Sequence, residues 1–415
     1  MTLLEPVENS LASSGRLPRI AIICDYKEEA WTSMDVVADM LLSQLRQSYA
    51  EAFEVERVRP SMRFRFSKPR SARGKQDDLL SGEQTKAGTK RFNADRVLNR
   101  FWDYPRHIRR RRDEFDLFHV IDHSYGQLLY ELPPERTIIT CHDLDTFQCL
   151  LNPNEEPRSF LFRQMMQRTL GGFRRAARVV CVSNATRDEV LAQGVASPEH
   201  TIVVPNSVDS VFSPRADAVG DAECAELIGP ARLHLDILHV GSTIPRKRID
   251  VLLRVFAKVR SALPNTRLLR VGGFFTSEQK ELADNLQVTE YLVEIPRVDK
   301  RVLAAIYRRS AVLLQPSERE GFGLPVVEAM ACGTPVVASD VPSLQEVAGG
   351  VATFCEVGNV DLWAYAILQR LNEATSNPMR WLQNRRAALT QAAKFSCANY
   401  SRQMADIYRA VLANC

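Results

Sequence analysis

Two acids define the chemistry open to this chain. Glu320 and Glu328 stand eight positions apart in SEREGFGLPVVE (317–328), on either side of a Gly-Phe-Gly-Leu-Pro turn. A carboxylate ahead of a glycine turn and a second one just inside the following helix suit a ligand with two polar ends, and a nucleotide-sugar is such a ligand. Gly321 and Gly323 let the backbone come close to it. A helix expected to start near Pro325 would turn unpaired N–H groups and a positive dipole end toward phosphate or sugar oxygens. In this reading Glu328 accepts two hydrogen bonds from a ribose diol and Glu320 holds a hydroxyl of the transferred group. Taken singly, Glu328 could equally cap helix N–H groups and Glu320 could be a surface acid; the whole run argues for a site.

A second constellation lies in HVGSTIPRKRID (239–250), where Gly241 ends an expected strand and Arg246 with Lys247 precedes a helix. Two cations there would offset the charge of a departing diphosphate, a form of electrostatic catalysis. An Arg-Lys turn alone is more often a solvated surface feature. In TCHDLDT, His142 falls at the carboxyl end of a strand, where ligands bind in open sheets; a contact to the donor sugar and an ordinary loop histidine are both open. Asp143-Leu144-Asp145 has the Asp-x-Asp form of metal-dependent sugar transferases, but three residues match by chance often, and two cations would make a divalent ion unnecessary. His119, Asp122, His123, Ser124 and Tyr125 cluster in HVIDHSYG. With Asp143 and Glu320 their spacing matches no metal-binding pattern, so no metal is expected. DYKEEAWTSMD (25–35) lacks Gly-x-Gly-x-x-Gly, which argues against a dinucleotide at the first turn. Glu28, Glu29, Trp31 and Ser33 there are placed to meet an acceptor. Arg96, Arg100 and Tyr104 could add contacts or pack as ordinary helix and turn.

The elements that must position these residues alternate. RIAIICD (19–25), FDLFHVI (115–121), RTIITCHD (136–143), RVVCVSN (178–184) and TIVVPNSVD (201–209) read as strands, with helices at 33–50, 159–177 and from about Thr186 between them. Ser33 is the expected cap of the first helix. The pattern restarts with LDILHVGS (235–242), a helix over 249–263, and strands in TRLLRVGG, LQVTEYLVEI, AVLLQPS and TPVVASD. Residues 61–91 look like a surface excursion. The reading is α/β: two Rossmann-like domains, 1–210 and 233–394, joined by a linker over 211–232. In the closing segment 395–415, Met404, Ile407, Tyr408 and Val411 share one helix face.

Composition supports two globular cores. The chain has 415 residues, 45% apolar and 25% charged, with a formal net charge of +4. That balance does not imply nucleic acid. Basic clusters at Arg106–Arg112 and Arg59–Arg73 could meet anionic lipid or an acidic substrate, or be solvated faces. Nine scattered cysteines without a Cys-x-x-Cys pair suggest reduced thiols and a cytoplasmic setting, with Cys141, Cys181 and Cys332 as packing residues. The first nineteen residues do not read as a signal peptide, and no apolar run is long enough to cross a bilayer.

With these pieces in place, the chain resembles the family 4 retaining glycosyltransferases of the GT-B fold over nearly its whole length, most strongly over 235–350. Glu320 to Glu328 resembles the family's Glu-x7-Glu motif and Arg246/Lys247 its basic pair. VVCVSNATRDEV and VVPNSVD resemble the end of its first domain, and 395–412 its terminal helix, which crosses back to the first domain. The resemblance implies two Rossmann-like domains facing across a cleft, the nucleotide-sugar mainly on the second and the acceptor mainly on the first. It implies ribose at Glu328, sugar at Glu320 and near His142, and diphosphate at Arg246 and Lys247. Gly241, Ser242, Ser317, Gly321, Phe322, Gly323, Leu324 and Pro325 would lie close to the donor. Two departures stand out. DYKEEAWTS replaces the glycine-rich first loop of many members, and Ser242 stands where many carry Arg, so that Arg246 would supply that charge. The implied reaction moves a hexose from GDP-mannose or a UDP-sugar, as co-substrate and without a metal, to a hydroxyl of a saccharide, glycolipid or small acceptor, keeping the anomeric configuration. The expected setting is the cytoplasm or the inner membrane face, with peripheral membrane contact through the basic clusters, as a monomer or homodimer. The competing readings are an epimerase or hydrolase of the same fold and a non-catalytic carbohydrate-binding protein.

Overall fold

The structure, a computed structural model, describes residues 16–29, 32–68, 86–230 and 234–414. Trp31 and residues 69–85 of the basic excursion lie outside the described residues. The chain forms two units, Met1–Pro205 with Ala398–Cys415, and Asn206–Cys397.

The first unit is built on a six-stranded sheet, β1 (Arg19–Ile23), β2 (Glu54–Val58), β3 (Leu117–Val120), β4 (Thr137–Cys141), β5 (Arg178–Cys181) and β6 (Thr201–Val203), in the order β2-β1-β3-β4-β5-β6. Every pairing is parallel. Strands buried on both faces read as continuous apolar runs, which is why IAII and TIITC show no alternation. β2 (EVERV) is an edge strand with three charged residues in five, and for that reason it escaped the sequence reading. The first helix runs Thr32–Ser48, so Ser33 lies inside its first turn and does not cap it. The helices Phe160–Phe173 and Asn184–Ala192 are capped by serines whose side chains accept N–H bonds, Ser159 and Ser183.

The terminal helix Cys397–Leu412 packs into this unit. Tyr400, Met404, Ile407, Tyr408, Val411 and Leu412 join Ile20, Ile22, Leu41, Leu117 and Ile138 in one core on one side of the sheet. His119 of β3 is fully buried beneath that helix. Its Nδ1 lies 2.7 Å from the Tyr408 hydroxyl and its Nε2 2.7 Å from Thr140 Oγ1. Burial holds its pKa down at about 3, so it is neutral. His119 therefore fastens the helix and takes no part in the polar cluster with which its sequence neighbours had grouped it.

The second unit repeats the plan with β7 (Leu235–Gly241), β8 (Thr266–Gly272), β9 (Leu292–Ile295), β10 (Val312–Gln315), β11 (Val336–Ser339) and β12 (Thr353–Cys355), in the order β12-β11-β10-β7-β8-β9 and all parallel. The winding reverses between β7 and β10. Loops leaving the carboxyl ends of two such strands diverge, and the space outside them is where open α/β sheets bind ligands. Both motifs from the sequence leave from this point, 241–247 after β7 and 316–323 after β10. Within the stretch expected as linker, Ala218–Ile228 is a helix of this unit. It is pinned to the helix Lys300–Arg309 by Arg301–Asp217 and Arg308–Asp221 ion pairs. Among the described residues no helix is long and apolar enough to cross a membrane.

Tyr408→Phe removes one partner of a buried imidazole and leaves its Nδ1 unsatisfied. The expected cost is about 1–3 kcal/mol, read as a lower urea midpoint for the unfolding of the first unit. An unchanged midpoint would show that the hydroxyl does not hold the helix.

Candidate active site

The site grows out of β10. Gln315 and Ser317 are buried on either side of Pro316, and the chain then turns through Glu320-Gly321-Phe322-Gly323 into the helix Leu324–Cys332, one residue earlier than expected. Gly323 is the N-cap with φ +97°, and a Cβ there would meet Leu344 at 2.5 Å. Only glycine satisfies both the left-handed backbone and the close approach. Ser343 on the helix Pro342–Ala348 donates to the Glu320 carbonyl at 2.6 Å, and the Glu318 N–H donates to the Arg246 carbonyl at 2.8 Å. The turn is thus tied to the loop after β7.

That tie brings Glu320, Arg246 and Lys247 together. The Glu320 side chain is 7% exposed and the Lys247 side chain 11%. Lys247 Nζ reaches Glu320 Oε1 at 2.5 Å, Arg246 reaches Oε2 at 3.2 Å, and the Gln315 amide donates to Oε1 at 2.7 Å. Arg246 also donates to the Arg319 carbonyl at 2.8 Å. Burial alone would raise the Glu320 carboxyl; Lys247 first and Arg246 second overcome it and hold the pKa down at about 2. Glu320 is therefore a fixed anion flanked by two cations.

Glu328, two turns of chain further on, has different surroundings. It accepts a hydrogen bond from Tyr307 at 2.8 Å, and Lys300, whose charge acts on it, is itself bound to Asp209 at 2.7 Å. Burial pushes its carboxyl up to about 7, against the pull of Tyr307 and Lys300. The structure thus joins Glu320 to the basic pair and gives Glu328 a separate place on the same helix-and-turn unit. Gly241 and the exposed Ser242 leave β7 beside them. Gln315, Tyr307, His239 and Arg270 were not foreseen. Each except Tyr307 is a polar residue within a largely apolar strand (AVLLQ, LDILHV, RLLRV), a signal visible in the sequence once the strand is known to be buried on both faces.

His142 belongs to the first unit, just past β4. Its Nε2–H donates to the Ile121 carbonyl at 2.9 Å, and burial lowers its pKa. Its N–H faces His123, which lies 3.4 Å from Asp122 and 3.5 Å from Asp143. Asp122 is held by the Ser124 N–H and hydroxyl, both at 2.7 Å. Glu29 pairs with Arg100 at 3.0 Å and Arg96 at 3.5 Å, and Arg100 covers the Tyr125 ring. Tyr104 donates to the carbonyls of Cys24 and Val58 and belongs to the core. The basic clusters are partly neutralised within this unit: Arg109 pairs with Glu131, Arg111 with Glu56 and Glu114, Arg63 and Arg65 with Asp103. Cys141, Cys181 and Cys332 are buried, unpaired packing residues.

Residues 234–394 match the family described as glycosyl transferases group 1, and residues 65–212 match glycosyltransferase family 4. The O-antigen chain mannosyltransferase B of Escherichia coli is 27% identical over 349 residues, covering 80% of this chain and 87% of that protein. The D-inositol 3-phosphate glycosyltransferase of Mycobacterium sp. (strain KMS) is 32% identical over 256 residues, 56% of this chain and 53% of that protein; the match thus spans about half the length of that relative. Among solved structures, sucrose-phosphate synthase from Thermosynechococcus elongatus superposes with a TM-score of 0.67 at 20% identity, covering 96% of this chain and 100% of that one. HepE from Anabaena, in complex with UDP and glucose, superposes with a TM-score of 0.68 at 15% identity, covering 94% and 99%. At these identities the structural likeness establishes the fold.

Glu320→Gln leaves Lys247 buried without its carboxylate and should cost about 3–5 kcal/mol in urea unfolding, with part recovered in the Glu320→Gln, Lys247→Met double variant. No recovery would mean the two do not act as a pair. The two acids also give opposite pH responses. The Glu320 contribution is full above pH 4.5, the ordinary value, and is lost as pH falls toward 2. The folded Glu328 binds its proton more tightly than the unfolded chain does, so it removes stability as pH rises from 4.5 to 7. Relative to wild type, Glu328→Gln should therefore gain about 1–3 kcal/mol between pH 4.5 and 7. A flat difference across that window would show an unshifted carboxyl.

Proposed function

Because the chain is a GT-B glycosyltransferase related to the group 1 and family 4 enzymes, we propose that its second unit takes a nucleotide-sugar between the 241–247 and 316–328 segments and that the enzyme transfers the hexose with retention of configuration. The observation that carries this reading is the buried Glu320 carboxylate fixed between Lys247 and Arg246. One anion between two cations leaves a positive excess, which suits a diphosphate whose negative charge grows as the sugar departs. The cations need no reorganisation at that moment, and this is what makes preorganised charge effective. Arg246, the more exposed of the two, meets the diphosphate. Glu320, permanently ionised, accepts hydroxyls of the sugar and stabilises its developing positive charge.

In the transfer step the bond from the anomeric carbon to the diphosphate oxygen breaks, and the acceptor oxygen bonds to the same face. The acceptor proton passes to the departing phosphate, since no carboxylate of the second-unit site is placed as an independent nucleophile. Glu328 accepts both hydroxyls of the ribose. Those donors stabilise its charged form and draw its proton off on binding. The Gly321–Gly323 turn with Phe322, Leu324 and Pro325 lets the backbone lie against the nucleotide, and Ser317 and Ser242 border it.

The donor we favour is GDP-mannose. The Pro-Arg-Lys turn resembles that of some mannosyl transferases, and the E. coli relative over most of this chain's length is named as a mannosyltransferase. A UDP-sugar is the second candidate, from the UDP complex of a structural neighbour. The acceptor class is a saccharide or lipid-linked saccharide of polysaccharide synthesis.

A thermal-shift panel of GDP, UDP, ADP and their sugars tests the donor. The matching nucleotide should stabilise by about 2.7 kcal/mol at a hundredfold excess over its Kd. NMR of the glycoside formed should show the anomer of the donor; an inverted anomer would overturn retention, and no shift with any nucleotide would overturn the donor site.

A further inference from the structure

Behind the 241–247 segment lies a charged group that the reading above leaves unused. Arg270 is the register partner of His239 across β7 and β8, and it is 1% exposed. One guanidinium nitrogen donates to the Gly241 carbonyl at 2.9 Å and another to the Gly273 carbonyl, while Nε has no partner among the described residues. The Phe275 ring covers the group at 5.3 Å. No carboxylate among the described residues lies within ion-pair distance. Glu294, its register partner on β9, accepts from the Phe275 N–H at 2.6 Å and acts on Arg270 through space, without an ion pair. Burial lowers the Arg270 pKa to about 10, which leaves it charged at neutral pH.

A buried cation with no carboxylate in direct contact is costly, because two carbonyls replace only part of its hydration. The other neighbour offers nothing negative. His239 is fully buried, neither ring nitrogen has a partner among the described residues, and burial with Arg270 and Lys247 beside it keeps it neutral. The backbone around Arg270 is also packed without slack. Gly272 has φ +135°, and a Cβ there would meet the Gly241 carbonyl oxygen at 2.1 Å. From the helix Ser277–Asn285, Gln279 donates to the Thr243 carbonyl at 3.2 Å. The loop after β7 is therefore braced from two sides, with carbonyl groups of two glycines drawn onto one guanidinium.

We propose that Arg270 is a positioning residue for the diphosphate of the donor: it turns the Gly241 and Gly273 carbonyls inward and sets a fixed positive charge behind the turn that the anion approaches, without touching it. This rests on the second unit taking a nucleoside diphosphate. The lack of a direct ion pair is then explained, since further counter-charge arrives with the ligand. At the short range and low dielectric of a buried group, such a charge acts on a diphosphate far more than on an uncharged nucleoside.

The test compares Arg270→Met, Arg270→Gln and Arg270→Lys with wild type in affinity for a nucleoside, its monophosphate and its diphosphate, using the base that stabilises wild type most. Arg270→Met and Arg270→Gln should lose roughly tenfold or more in diphosphate affinity, less in monophosphate, and nothing in nucleoside. Arg270→Lys should keep most of the discrimination. A folded Arg270→Met, with wild-type circular dichroism, that retains the wild-type ratio of diphosphate to nucleoside affinity overturns the proposal. So does an equal loss for all three ligands, which would mark a purely structural role. Should Arg270→Met fail to fold, the Gln and Lys pair decides: equal behaviour of the two overturns it. If wild type binds no nucleoside diphosphate, the donor reading itself fails.

Discussion

The buried ion pair between Lys247 and Glu320 is the constraint around which the second unit is arranged. Neither partner has water to fall back on, so each is held where the other is. Holding them takes the whole switch point of the sheet. β7 and β10 must be neighbours, the loop after each must leave the same end, and the Glu318 N–H must find the Arg246 carbonyl. Gly323 then lets the chain swing into its helix under Leu344, and Ser343 fixes the Glu320 main chain. A side chain with so many restraints loses little freedom when a ligand arrives. That is the physical content of preorganisation, and it explains why a site of this kind is built on strand ends of a parallel sheet.

The same short segment carries two carboxyls in opposite electrostatic states. Glu320, between two cations, is an anion at any working pH. Glu328 has a tyrosine hydroxyl and a cation already engaged by Asp209, and it sits near its own midpoint at neutral pH. The difference lies in the neighbours, since the residue types are identical. A permanent anion suits a group that must stabilise positive charge at the reacting carbon. A carboxyl near neutrality suits a group whose charge is completed by donors on the ligand. Division of roles between paired acids by their surroundings is a recurrent device in sugar chemistry.

Much of this was legible in the residues. The doubly wound alternation, the location of both motifs after strands, and the apolar face of Met404, Ile407, Tyr408 and Val411 follow from periodicity and turn residues. What was hidden depends on burial from more than one side. β2 reads as a charged exposed stretch because three of its five residues are charged, and only Val55 and Val58 are buried, each in a different core. Ser33 looks like a cap, but the helix begins before it. His119 sits among site-like histidines in the sequence, yet its ring faces the terminal helix. Arg270, Gln315 and His239 look like interruptions of apolar runs. Their meaning appears only when β7, β8 and β10 lie side by side, because pairing between strands far apart in sequence leaves no local trace.

The first unit is discontinuous in the chain, since its core is completed by residues 398–414. During vectorial synthesis the ribosome delivers its six strands first and the helix that seals them last. Until then Ile20, Leu41 and Ile138 keep one apolar side uncovered, while the intervening unit already has all its own strands. The nascent protein therefore acquires its second unit as a finished body before the first can close, and the exposed sheet in the interval is a natural client for chaperones.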